Sequence, residues 1–173
     1  PQDRKSQGLL LPMSVRENLS MAVLSRKPAV SPLSLGDERR QVEAVVRQIA
    51  IKTPSVEQAV RNLSGGNQQK VVIGKWLLSE AQIYLLYDPT RGIDVGTKQE
   101  LYELLRQLAA QGKGILLYST DLSELIGLCH RVMVMYEGRI VDMLEGPAIT
   151  ETNLLRSALG LTAREPVHGQ AAG

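Results

Sequence analysis

Five consecutive apolar residues, Ile83-Tyr84-Leu85-Leu86-Tyr87, stop abruptly at Asp88-Pro89. A run with no polar side predicts a strand buried on both faces, as in a parallel sheet. A parallel partner requires a crossover, and Thr97 to Ala110 predicts a helix for it. Leu101, Leu104, Leu105 and Leu108 fall on one face of that helix, and Gly112 stops it. Gly114 to Ser119 reads as a second buried strand, Asp121 to Cys129 as a short helix, and Val132 to Tyr136 as a third strand. Glu137-Gly138 then turns tightly into Arg139 to Leu144, a hairpin. Thr150 to Leu159 predicts a last helix, and the Gly/Ala-rich tail after Gly160 is expected to be disordered. Strands alternating with helices in this order predict an α/β domain with a parallel core.

The segment before Leu63 carries only helical patterns. Ser14-Val15-Arg16-Glu17 fits a capping box opening a helix to about Ser25. Pro28, Pro32 and Gly36 punctuate a loop. Asp37 is expected to cap a helix bearing Val42, Val45, Val46 and Ile49, and Ser55 a short helix to about Asn62. This segment reads as a helical subdomain attached to the core. With 20 Lys+Arg against 18 Asp+Glu, the net charge of +2 argues against a protein that works by neutralising nucleic-acid phosphates. A single cysteine, Cys129, excludes a disulfide framework and a multi-cysteine zinc site, and two histidines disfavour a histidine metal site. No apolar run approaches the ~20 residues that span a bilayer. The polar start at Pro1, without an initiator Met, reads like the middle of a longer protein.

The stretch richest in chemistry is Leu63-Ser64-Gly65-Gly66-Asn67-Gln68-Gln69-Lys70. A small-residue turn opens a helix from Asn67 to about Ser79. Its glycines let backbone approach a ligand with no Cβ in the way. The unpartnered N–H groups and the positive end of the helix dipole favour a phosphate, and the Ser64 hydroxyl adds a donor. Taken alone, Ser-Gly-Gly reads as an ordinary capped helix after a turn.

It does not stand alone. The turn, the strand that follows and Asp88-Pro89-Thr90-Arg91-Gly92-Ile93-Asp94-Val95-Gly96 together resemble the ATPase subunit of sugar-type ABC transporters, from Pro1 to about Gly146. The resemblance implies a P-loop NTPase-like α/β core with an attached α-helical signature subdomain, without the N-terminal strands and phosphate loop. It divides the chain into a Q-loop and helical part (1–62), a signature, Walker B, D-loop and switch part (63–146), and a C-terminal helix and tail (147–173). It makes Ser64, Gly65, Gly66 and Gln68 part of a clamp for the γ-phosphate of an ATP held by the opposite subunit. Gln2 falls at the Q-loop, Asp94 at the D-loop aspartate, Asp88 at the catalytic glutamate and Thr120 at the switch histidine. Local readings stand beside these: Asp88 as a turn residue, Asp94 as a structural turn aspartate, Gln2 as a solvated residue and Arg91 as a local surface pair. His130 and His168 have no role in this scheme, and Cys129 reads as a packed small hydrophobe.

The chain departs from the family pattern in three places. No Gly-x-x-x-x-Gly-Lys-Ser/Thr occurs. Tyr87 stands where the metal-site aspartate belongs, and Asp88 is one methylene shorter than the glutamate. Either Asp88 acts as a short-armed base, or it takes the metal role and leaves the base role empty. Thr120 can donate a hydrogen bond to a phosphate oxygen but carries no charge near neutral pH. In this fold class the phosphate-loop strand lies between strands 114–119 and 132–136. Its absence is expected to leave a one-strand gap, unpaired edges and low stability.

The implied function is part of an ATP-binding and ATP-hydrolysing subunit that energises sugar import. Its cofactors would be ATP and Mg²⁺. Its partners would be a second nucleotide-binding domain arranged head to tail, transmembrane permease subunits and, indirectly, a sugar-binding protein; nucleic acid is not among them. The place would be the cytoplasmic face of the membrane. One alternative is a catalytically degenerate module that only completes a partner's ATP site. A DNA-linked ATPase sharing the turn is disfavoured by the Asn-Gln-Gln-Lys continuation, the near-neutral charge and the lack of a heptad pattern.

Overall fold

The computed structural model describes residues 8–24 and 35–161. Gln2, the prolines of the loop after residue 24, and the tail beyond residue 161 with His168 lie outside the described residues. The chain divides into two compact units, Pro1–Tyr118 and Ser119–Gly173.

The first unit runs α1 (Val15–Leu24), α2 (Leu35–Gln48), α3 (Gly65–Leu77), β1 (Ile83–Tyr87), α4 (Val95–Ala110) and β2 (Gly114–Tyr118). The predicted capping box opens α1. The Ser14 N–H donates to Glu17 Oε2 at 2.8 Å, and the Glu17 N–H donates back to Ser14 Oγ at 3.2 Å. The Ser14 N–H, together with the Ser14 hydroxyl that donates to the same oxygen at 2.7 Å, holds the Glu17 carboxyl below the usual range. Buried Asn18 accepts from the Leu10 N–H at 2.8 Å and donates to the Leu10 and Ser14 carbonyls, tying the entering loop to the helix. α1 packs on α2 and α3, and α2 packs on α3. Gly74 marks the closest approach: a Cβ there would lie 2.7 Å from Leu19 Cδ2 and 3.0 Å from Ile49 Cδ1. Leu19, Val42 and Val71 are fully buried in this cluster.

Two helix expectations are corrected here. Residues from Ser55 form no helix; a single 3-10 turn covers Val60–Asn62. Backbone groups that a helix would use internally are engaged by the strand-like entry to α1. Val15 N–H donates to Gln58 O, Arg16 N–H to Val56 O and Val60 N–H to Met13 O, at 2.9–3.0 Å. α2 starts at Leu35, so Asp37 sits inside the first turn, where an acid suits the helix dipole.

β1 and β2 pair in parallel, from Ile83 opposite Gly114 to Tyr87 opposite Tyr118. α4 is the crossover and packs on β2 through a stripe containing Leu101, Leu104, Leu105 and Leu108. It ends in a Schellman arrangement: Lys113 N–H donates to Leu108 O and Gly112 N–H to Ala109 O, with Gly112 at φ 81°. The expectation of burial on both faces of β1 is corrected. Tyr84 is buried, whereas Ile83, Leu85 and Tyr87 are exposed, as are Leu116 and Tyr118 beside them. Within this unit the helices cover only one face of the pair.

The second unit holds α5 (Leu122–Leu128), β3 (Arg131–Tyr136), β4 (Arg139–Glu145) and α6 (Glu151–Ala158). The third strand forms the expected antiparallel hairpin with β4 and, among the described residues, pairs with no other strand. Its two-residue turn has Glu137 at φ 47° and Gly138 at φ 77°, the type I′ geometry that matches strand twist. Val132, Val134, Leu144, Ile149 and Leu154 form the core, with Cys129 packed against it. Buried Ser157 donates to Asp142 Oδ2 at 2.7 Å, joining α6 to β4. Among the described residues the strands form two separate pairs, β1–β2 and β3–β4.

Candidate functional site

Ser64 caps α3. Its Oγ accepts from the Asn67 N–H at 3.4 Å and from Asn67 Nδ2 at 2.9 Å. Both contacts use its lone pairs, leaving the O–H proton for an outside acceptor. Gly65 and Gly66 are the first helical residues, whose N–H groups have no partner within the helix. Asn67 is fixed in turn, since its Oδ1 accepts from the Lys52 N–H at 2.8 Å. Ser64 is exposed while Gly66 is buried, so the turn shows donors on one side and packs on the other.

Gln68 turns inward. It is 5% exposed, and its Nε2 donates to the carbonyls of Val60 (3.3 Å) and Leu63 (3.2 Å). Those are the residues leading into the turn, so the side chain shapes the loop from beneath. Lys70 is also buried. Its Nζ lies 2.8 Å from Ala50 O and 2.6 Å from Glu100 Oε2, linking α3 to the end of α2 and to α4. Lys70 holds the Glu100 carboxyl below its ordinary range, chiefly through that hydrogen bond.

Asp94 caps α4. Its Oδ1 accepts from the Thr97 N–H at 2.9 Å and its Oδ2 from Thr97 Oγ1 at 2.8 Å. Those bonds keep its carboxyl well on the ionised side. Asp88 follows β1 with φ 42°, a left-handed conformation rare outside glycine but tolerated by Asp. Its N–H donates to Tyr118 O at 2.8 Å, and its carbonyl accepts from the Arg91 N–H at 3.1 Å. Tyr87 stacks on Tyr118, with ring centroids 4.4 Å apart and planes 13° from parallel. Thr120 is exposed in the second unit, just past β2.

The structure therefore brings Ser64, Gly65, Gly66 and Gln68 together at the head of α3. Thr97, which follows Asp94 in α4, packs against Gly66. Sequence reasoning missed three participants: Thr97, Glu100, and Lys70 as a buried strut. Only Thr97 left a signal, in the Asp94-x-x-Thr97 spacing of a capped helix start.

The residues fit one group better than the other. The turn offers backbone and hydroxyl donors with no Cβ at two positions, which suits the oxygens of a terminal phosphate. For magnesium the fit is poorer: Tyr87 offers a phenol stacked on Tyr118 rather than a carboxylate. No three His, Cys, Asp or Glu side chains gather as metal ligands among the described residues.

The fold is that of an ATP-binding-cassette type of α/β domain, as its likeness to solved structures shows. Three of these illustrate it. One is the ATP-binding cassette MJ0796 in a dimeric post-hydrolysis state with ADP and Pi (TM-score 0.69, 20% identity, 81% of this chain and 60% of that one). The second is the ADP conformation of MJ1267, an ATP-binding cassette of an ABC transporter (TM-score 0.67, 19% identity, 87% and 60%). The third is an inward-facing, putative metal-chelate type ABC transporter (TM-score 0.73, 17% identity, 88% and 60%).

The ABC transporter family matches residues 2–91, and the chain belongs to that family. It is 54% identical over 161 residues to ribose import ATP-binding protein RbsA 1 of Rhizobium johnstonii, covering 93% of this chain and 31% of the relative. It is 53% identical over 172 residues to the protein of that name in Mesorhizobium japonicum, covering 99% and 33%. With RbsA of Clostridium perfringens the identity is 43% over 161 residues, covering 92% and 32%. The chain thus spans about a third of the length of these curated relatives. No described helix is long and apolar enough to cross a membrane.

Proposed function

We propose that this chain is part of an ATP-binding subunit that energises sugar import, of which ribose is the first candidate. In this reading its Ser64-Gly65-Gly66 turn completes an ATP site held by a second nucleotide-binding domain. The observation that carries the reading is the turn itself, a capped helix start with donors on its exposed side, in a chain 54% identical to a ribose import ATP-binding protein. Negative charge accumulates on the γ-phosphoryl oxygens during in-line attack by water, and fixed donors there stabilise it. The transmembrane permease subunits and a sugar-binding protein are the further partners, and the cytoplasmic face of the membrane is the place. Gln2 would couple the site to the permease. Asp94 would lie at the dimer interface, with Asp88 and Thr120 at the hydrolytic end. No step is assigned to a metal on this chain.

A second reading is favoured by one observation. Tyr87, at the metal-carboxylate position, is stacked on Tyr118. That supports a module which completes its partner's site without hydrolysing ATP itself.

Ser64→Asp tests the shared part of both readings. Asp is as good an N-cap as Ser, so α3 should stay folded, while its charge would repel a phosphate. In the assembled transporter, ATP hydrolysis at the site this turn faces should fall by about 100-fold, the scale of losing one charge-stabilising donor. Unchanged hydrolysis would contradict the assignment.

A further inference from the structure

Gln68 shapes the loop that leads into the turn and Asn67 ties down its cap, but the two glycines have no side chains of their own to hold them, and the contact behind Gly66 supplies what they lack. A Cβ on Gly66 would meet Thr97 Oγ1 at 2.5 Å, Thr97 Cγ2 at 2.7 Å and Thr97 Cβ at 3.0 Å. One whole side of the Thr97 side chain therefore lies flush against the glycine backbone. Thr97 cannot swing away, because both oxygens of Asp94 hold it: Oδ1 takes its N–H and Oδ2 its hydroxyl. A β-branched side chain has few χ1 choices to begin with, and the second bond selects one.

A parallel contact lies one turn along both helices. Lys70, four residues after Gly66, meets Glu100, three residues after Thr97. These are same-face spacings on a helix, so α3 and α4 touch at two successive rungs.

We infer that Asp94 and Thr97 are positioning residues for the turn: Asp94 locks Thr97, and Thr97 forms the wall that fixes Gly65 and Gly66. This inference rests on the proposed role of the turn. It gives Asp94 a task inside its own chain, acting through Thr97 and touching no nucleotide. It also gives a reason why position 66 must be glycine, apart from any ligand.

The test separates capping from positioning. Asp94→Ser keeps an N-cap oxygen for the Thr97 N–H but loses the second acceptor for the hydroxyl. Thr97→Val keeps the wall but loses the lock. Both are made in the full 173-residue chain and followed by ¹⁵N relaxation and by titration with inorganic phosphate. The expected result is ordered α4 amides in both variants, increased motion at the Gly65 and Gly66 amides, and phosphate affinity there about fivefold weaker, the scale of one lost hydrogen bond. Gly66→Ala should disorder the turn, and Gly66→Ala with Thr97→Gly should restore its order.

If Gly65 and Gly66 stay as rigid as in the parent in both lock-breaking variants, the inference is overturned. The same holds if Thr97→Gly fails to rescue Gly66→Ala. If the parent turn shows no response to phosphate, the anion reading of the turn falls instead, and the relaxation data still decide the role of Asp94 and Thr97.

Discussion

Removing Glu100 should destabilise the protein more than removing Lys70, although Glu100 is the partner nearer water. The Lys70 side chain is 5% exposed and that of Glu100 45%. In Lys70→Met the stem keeps its packing and the freed carboxylate turns to solvent. What is lost is the charged donor to Ala50 O, a bond worth about 1.5–3 kcal/mol. Part of that is returned, because an ammonium no longer has to be desolvated; the net loss is about 1 kcal/mol.

In Glu100→Gln the ammonium stays buried, facing one carbonyl and a neutral amide. Stranding one member of a fully buried pair costs about 3–5 kcal/mol; with one member at the surface, water reduces this to about 2–3 kcal/mol. At about 2–4 °C per kcal/mol for a chain of this size, Glu100→Gln should melt roughly 4 °C below Lys70→Met. Thermal and urea unfolding followed by circular dichroism give the comparison, and the double variant should behave like Lys70→Met. A Lys70→Met protein no more stable than Glu100→Gln would refute the reasoning.

Four further expectations follow from named residues. The carboxyls of Glu17, Asp94 and Glu100 are all held below their ordinary range, by Ser14, Thr97 and Lys70 respectively. A folded value below the unfolded one adds stability above the unfolded range, near pH 4, and loses it as pH falls through the folded value. Urea midpoints should therefore be flat above about pH 5.5 and drop below about pH 4, with a shallower drop in Glu17→Gln. Glu137→Asn should raise stability by about 0.5–1 kcal/mol in thermal unfolding, because Asn-Gly suits the two positive φ angles of this hairpin turn. Gly74→Ala gains about 1 kcal/mol of helix propensity but overpacks the helix crossing by about 1–3 kcal/mol, for a net loss near 1. Gly36→Ala, where no described residue would meet an added Cβ within 4 Å, should instead gain about 0.5–1 kcal/mol, as the paired denaturation curves will show.

What the sequence disclosed were features written in neighbouring residues. The Ser14–Glu17 box, the leucine stripe of α4 and the Glu137-Gly138 turn are each local, and each stands where the pattern placed it, whereas Thr150, read as the first residue of the last helix, caps it, and the helix after Ser64 opens at Gly65 rather than Asn67. Ser55 misled because cap chemistry is also turn chemistry; the segment's backbone was taken by the approach to α1, a pairing between residues 14 and 59 that no local pattern records. The apolar run of β1 announced a strand, but burial belongs to whatever covers it, and here one face is open. At the site, the Ser64-Gly65-Gly66 turn was legible as a motif. Its support was not, because Thr97 behind Gly66 and Glu100 beneath Lys70 meet only once α4 has folded back beside α3.

The most direct measurement uses orthovanadate, which takes the place of the γ-phosphate and cuts nearby backbone on irradiation. The complete transporter would be trapped with Mg·ADP and vanadate, irradiated, and its fragments mapped by mass spectrometry. The account predicts cleavage of this chain between Ser64 and Asn67, lost in Ser64→Asp. Cleavage of the trapped complex that leaves this turn intact would contradict it.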